Sequence, residues 1–224
     1  MIGFIIKNVL CFFLVFLINT NIKANNHKAK YKVEVGGVNI GELIWEINID
    51  SSEYLTKINL INKGIFSGLY KFKGNYSSSG SIKSNYLESS SYSQDWQTRK
   101  KNKKIEIFFS NGKIKKLSQD PIEKEYSRIS LKSIEGYNDP ICSLINILLG
   151  KKGSRTIDGR RVYKMQIEKI NGNNLKIKIE NYKNIWADHK KNSLESIEIV
   201  KNENLLPSII KIKFKGLVFK LSKI

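Results

Sequence analysis

Acid–base and metal chemistry needs histidines, thiols or paired carboxylates, and this chain of 224 residues holds two histidines, two cysteines and 20 carboxylates. His27 and His189 have no second histidine or cysteine at metal-ligand spacing, which predicts no metal site. No Gly-x-Ser-x-Gly nucleophile elbow, phosphate-cradling glycine loop or His-Glu-x-x-His pair occurs. Carboxylates can converge in space without a sequence signature, so Glu42, Glu46, Asp95, Asp139 and Asp158 are candidate acid–base groups for a hydrolase. Each also has a plainer role: solvation on an outer face or, for Asp139, capping a helix that opens at Pro140. Cys142 sits among Ile141, Leu144 and Ile145, the setting of a buried, inert thiol. These residues predict a protein that is not an enzyme, with no catalytic residue, no cofactor and no metal. They assign no ligand-binding residue.

Net charge is +19 and raises the question of nucleic acid. Its source argues otherwise. Lys outnumbers Arg 34 to 5 and Ile outnumbers Val 34 to 8, the pattern of a genome rich in A and T. A surface selected for phosphate or guanine would retain more arginine, because only the guanidinium offers a bidentate fork. Interleaved lysines and aromatics such as Trp45, Trp96 and Trp186 could form a stacking platform, yet core or rim positions explain them more simply. Nucleic acid is therefore not expected as a partner, whereas a polycationic outer face is compatible with peripheral contact to anionic lipid headgroups.

Lys7 precedes the apolar run Val9 to Ile18, and the polar Asn19-Thr20-Asn21 leads to Ala24 before Asn25. This is the layout of a cleavable secretory signal peptide, with cleavage expected after Ala24. The expected organisation is a signal over residues 1–24 and a single β-rich domain over 25–224, secreted into a periplasm. Cys11 would leave with the signal, so Cys142 stands alone and no intramolecular disulfide is expected. No later segment carries the 18 apolar residues of a membrane-spanning helix.

The rest of the chain alternates as half-buried strands do. Tyr31, Val33 and Val35 share one face, Trp45, Ile47 and Ile49 a second run, and Tyr54, Thr56, Ile58 and Leu60 a third. Gly36-Gly37 supplies a bend and Ser51-Ser52 a hairpin connection. An irregular stretch over 64–74 precedes strands at 75–84 and 86–99, then a basic hairpin tip over Lys100 to Lys104. Ile105, Ile107 and Phe109 run to Asn111-Gly112, the strongest short hairpin signal, and Ile114 starts the return. Asp139, Pro140, the helical spacing of Ile141, Leu144, Ile145 and Leu148, and Gly150 define one short helix. Strands return at Tyr163-Met165-Ile167, at Leu175-Ile177-Ile179 after an Asn171-Gly172 turn, at Ile197-Ile199, and on both sides of Gly216. The predicted architecture is mainly β: a strongly curved antiparallel sheet or open β-barrel of ten or so strands with one short covering α-helix.

Three patterns together resemble a bacterial envelope family, the domain of unknown function 3108. They are Tyr31-x-Val33-x-x-Gly36-Gly37-x-x-Ile40-Gly41-Glu42, Asp139-Pro140 leading into an apolar helix, and Asp158-Gly159-Arg160-Arg161-Val162-Tyr163. The resemblance implies a periplasmic, barrel-like protein of the cell envelope without an established activity or catalytic residue. The motif positions read as structural: Asp158-Gly159 makes a turn, and Arg160 or Arg161 pairs with a carboxylate such as Asp158 or Glu42. The leading expectation is a binder or carrier of a lipid or other hydrophobic ligand, with an envelope scaffold acting through a sheet edge or basic surface as the alternative and a carboxylate hydrolase third. A dry interior cavity would favour the first and a filled interior the second.

Overall fold

The computed structural model describes residues 25–63, 71–186 and 194–224. The segments 1–24, 64–70 and 187–193 lie outside them, and with them the signal peptide, most of the irregular stretch and His189. Strands β1 (Asn25–Val35), β2 (Val38–Ile49), β3 (Glu53–Asn62), β4 (Phe72–Lys83), β5 (Tyr86–Thr98), β6 (Asn102–Ser110) and β7 (Lys113–Asp120) form one meander. Helix α1 (Pro140–Leu148) follows. A second meander comprises β8 (Gly153–Ile157), β9 (Arg161–Asn171), β10 (Asn174–Asn184), β11 (Leu194–Val200), β12 (Ile209–Phe214) and β13 (Leu217–Lys223).

All strands belong to one antiparallel sheet of 13, ordered β7-β6-β5-β4-β3-β2-β1-β13-β12-β11-β10-β9-β8. Every pairing joins sequence neighbours except β1 with β13, where Tyr31 faces Lys223 and Val35 faces Phe219. The sheet curls but does not close, because β7 and β8 do not pair. The chain between them spans the gap. Lys113 bridges to Glu135 and Asn138 to Thr156, and Gly136 donates its N–H to the Gly112 carbonyl at 2.8 Å. The expected open barrel is the observed fold.

The period-two pattern puts Tyr31, Trp45, Ile47, Tyr54, Ile107, Met165, Ile177 and Ile199 inside. Four details differ from the expectation. His27 lies in β1 opposite Ile47, ahead of the run that opens at Tyr31, because β2 is long enough to pair that far. Lys103 and Lys104 belong to β6, so the basic tip is shorter. The β9–β10 turn falls on Gly172-Asn173, one residue later than expected. Strand β8 has no counterpart in the expected set: its inward Ser154 and Thr156 are polar and leave no apolar alternation to detect.

Candidate functional site

Helix α1 lies against β8, β5, β4 and β9 on the concave side of the sheet. Its start is built by Asp139, whose Oδ1 accepts the N–H groups of Ile141 (2.9 Å) and Cys142 (3.0 Å). Oδ2 accepts the hydroxyls of Ser78 on β4 and Ser89 on β5, both at 2.6 Å, and the Tyr54 hydroxyl reaches Ser78 at 2.8 Å. Burial pushes the Asp139 carboxyl above its ordinary range, while these hydrogen bonds act in the opposite direction. Cys142 is fully buried, as expected, and burial pushes its thiol up to about 12.

Two further polar residues of α1 are buried and bonded to strands. Ser143 accepts from Ser154 (3.0 Å) and Thr156 (2.8 Å) of β8. Asn146 accepts the Leu87 N–H at 2.7 Å and donates to the Leu87 carbonyl at 2.8 Å, fastening the helix to β5. Asn146→Ala is expected to cost about 2 kcal/mol by orphaning both backbone groups. Urea unfolding measures it.

Above the helix the interior is not filled. A cavity of about 330 Å³ is lined by Trp45, Tyr76, Tyr92, Tyr163 and Met165, with Pro140, Ile141 and Leu144 of α1 as its floor. A second compartment of about 510 Å³, lined among the described residues by Val33, Ile40, Leu60, Phe72, Trp96, Phe214 and Phe219, adjoins it. The two share Val33, Leu60 and Phe219. This vestibule lies towards the ends of β4, β5 and β12 that are remote from the Leu87–Asn146 contact. From Phe72 at the rim to Tyr76 is four residues of β4, roughly 13 Å of strand. Among the described residues, none that lines either compartment is charged.

The motif residues divide between this cavity and the framework around it. Pro140 and Tyr163 line the cavity. Tyr31 is buried and donates to the Pro207 carbonyl at 2.8 Å, and Gly36-Gly37 forms the β1–β2 turn. A side chain at Gly41 would collide with the Ile61 carbonyl of β3. Glu42 pairs with Lys30 (3.0 Å) and Lys63 (2.6 Å), which hold its carboxyl below the usual range. Gly159, at φ +88°, packs so closely on Ile105 that a Cβ would come within 2.5 Å of its Cγ2. It therefore brings the β8–β9 turn against β6 across the unpaired gap.

The arginines both find carboxylates. Arg160 pairs with Glu123 at 3.1 Å. Arg161 lies 3.5 Å from Asp158, whose other oxygen accepts the backbone N–H groups of residues 160 (2.9 Å) and 161 (2.7 Å). Glu42 takes lysines rather than an arginine. Gln119 of β7 donates to the Gly159 carbonyl at 2.6 Å, as Trp186 does at 3.2 Å, so the motif acts as a clasp over the open seam.

The candidate hydrolytic carboxylates are dispersed. Glu46 pairs with Lys28, Asp95 accepts from Gln97, and Glu42, Asp139 and Asp158 are occupied as above. No group of three histidine, cysteine or carboxylate side chains suited to a metal occurs among the described residues. None of the described helices is long and apolar enough to cross a membrane.

A family model described as "Protein of unknown function (DUF3108)" matches residues 30–213. No curated protein matches. Among solved structures, the chain is similar to a beta-barrel-like protein of domain of unknown function DUF1849 from Brucella abortus, with a TM-score of 0.51 and 9% identity over 91% of this chain and 97% of that one. At that identity the likeness is one of fold.

Proposed function

This chain belongs to the DUF3108 family of proteins of unknown function, and on that footing we propose that it is a non-enzymatic carrier, exported to the periplasm, that holds a lipid or another hydrophobic ligand inside its curled sheet. One observation carries the reading: the interior keeps an apolar cavity and vestibule where a β-barrel of this size could instead be packed solid. Volumes of this order suit small-molecule ligands. The uncharged lining selects for apolar surface. Export rests on the Lys7 and Val9–Ile18 signal pattern. A scaffold has no need of an empty interior, so the cavity weighs towards the carrier.

Native mass spectrometry of the protein purified from the periplasm, followed by denaturation and organic extraction, tests this. A stoichiometric adduct released as a lipid is expected. Protein that is empty, and remains empty after incubation with envelope lipids, would leave the scaffold reading in its place.

A further inference from the structure

Resting on the carrier reading, we infer that the ligand is a single-chain amphiphile with an uncharged, hydrogen-bond-accepting head, an alcohol or ester, bound head-inward on the hydroxyls of Tyr163 and Tyr76 with its chain in the vestibule. The other interior tyrosines and the Trp45 indole have partners. Tyr31 donates to Pro207, Trp45 Nε1 to Thr56 at 2.9 Å, Tyr92 to Gln94 at 3.2 Å, and the Tyr54 hydroxyl meets Ser78. Tyr76 and Tyr163 line the same cavity, yet their hydroxyls bond to no described protein atom. Tyr163 is 4% exposed and lines the cavity, so its unspent donor belongs to a side chain of the interior rather than of the outer surface. A phenol that no protein atom engages is free to donate to an acceptor on the ligand, and a ligand without an acceptor would cover it unpaired.

Charge sets the head group. Among the described residues no cation lines either compartment. The buried Asp158 and Asp139 both act on Tyr163 with negative charge, and Arg161 opposes them. A carboxylate or phosphate brought there would be desolvated without a counter-ion. Burial raises the Tyr76 phenol to about 12 and pushes the Tyr163 phenol well above its ordinary value, so both remain protonated donors. The vestibule walls, Phe72, Trp96 and Phe214, offer only apolar contact for the chain.

The test uses the delipidated mature protein and four probes with one dodecyl chain: dodecane, dodecanol, methyl dodecanoate and, at mildly alkaline pH, dodecanoate. Each displaces the neutral dye N-phenylnaphthylamine. Dodecanol and the ester are expected to bind about tenfold more tightly than dodecane, and dodecanoate more weakly than dodecanol. In the Tyr76→Phe, Tyr163→Phe double variant the alcohol and ester should fall to the affinity of dodecane, whose own binding is unchanged. That unchanged value also shows that the cavity is intact. Equal binding of dodecane and dodecanol, tighter binding of dodecanoate, or an alcohol preference that survives the double variant would overturn the inference and leave the carrier standing. Failure of all four probes to displace the dye would overturn the carrier reading itself.

Discussion

Asp139→Ala is expected to lower the free energy of unfolding by about 3 kcal/mol or more, the largest effect of any single substitution in the polar framework. The change removes the cap of α1 and the shared acceptor of the Ser78 and Ser89 hydroxyls, leaving Ser78 only the Tyr54 hydroxyl to turn to. Asp139→Asn retains an oxygen for the cap but puts an amide where Ser78 and Ser89 donate, so the chain from Tyr54 through Ser78 must reverse. Its expected cost is about 1 kcal/mol. The pH dependence separates the two chemistries. Burial raises the folded carboxyl above 3.8, so the native state binds this proton more readily than the unfolded chain. The contribution is fully present below that unfolded value and is lost as pH rises through the folded one. The margin of the wild type over Asp139→Asn should therefore widen on acidification, as read from urea unfolding of the pair. A margin that narrows would place the carboxylate in a site that favours its charge.

Leu60→Trp should reduce affinity for an apolar probe at least about tenfold while leaving the melting temperature unchanged or higher. Leu60 lines both compartments, so an indole there occupies the passage between them. Filling a void adds contacts, with a gain on the order of 24 cal/mol per Å³ filled, so lost binding would not reflect lost folding. Dye titration and a thermal melt on the same sample measure both quantities. Undiminished binding with a normal melt would move the ligand out of the interior.

Alternating apolar residues made most of the sheet legible, because Tyr31, Trp45, Ile107 and Ile177 face a core on one side only. The Asn111-Gly112 turn and the Asp139-Pro140 cap announced themselves for equally local reasons. What stayed hidden depends on partners far along the chain. Ser154 and Thr156 face inward because Ser143 receives them, and Asn146 is buried because a β5 backbone pair meets it. In a sequence all four look like surface residues. The cavity was anticipated only as a property of curled sheets, since a void is the shortfall of many side-chain volumes and has no motif. Tyr163 was visible as part of Asp158 to Tyr163, but its unspent hydroxyl follows from what its neighbours lack.

The pairing order has a kinetic consequence. Every ladder in this sheet except β1–β13 joins strands that follow one another in the chain, most of them through two or three residues, so each meander can zip up from its own hairpins at little cost in loop entropy. The β1–β13 ladder alone must bring together strands nearly the whole chain apart. Substitutions that weaken this ladder, such as at Val33 or Leu221, would slow folding if its closure is the rate-limiting event. Those in α1 would chiefly hasten unfolding if the helix docks after the sheet has curled. The joint between the two halves would then govern how fast the barrel is made, and the helix on its floor how long it lasts.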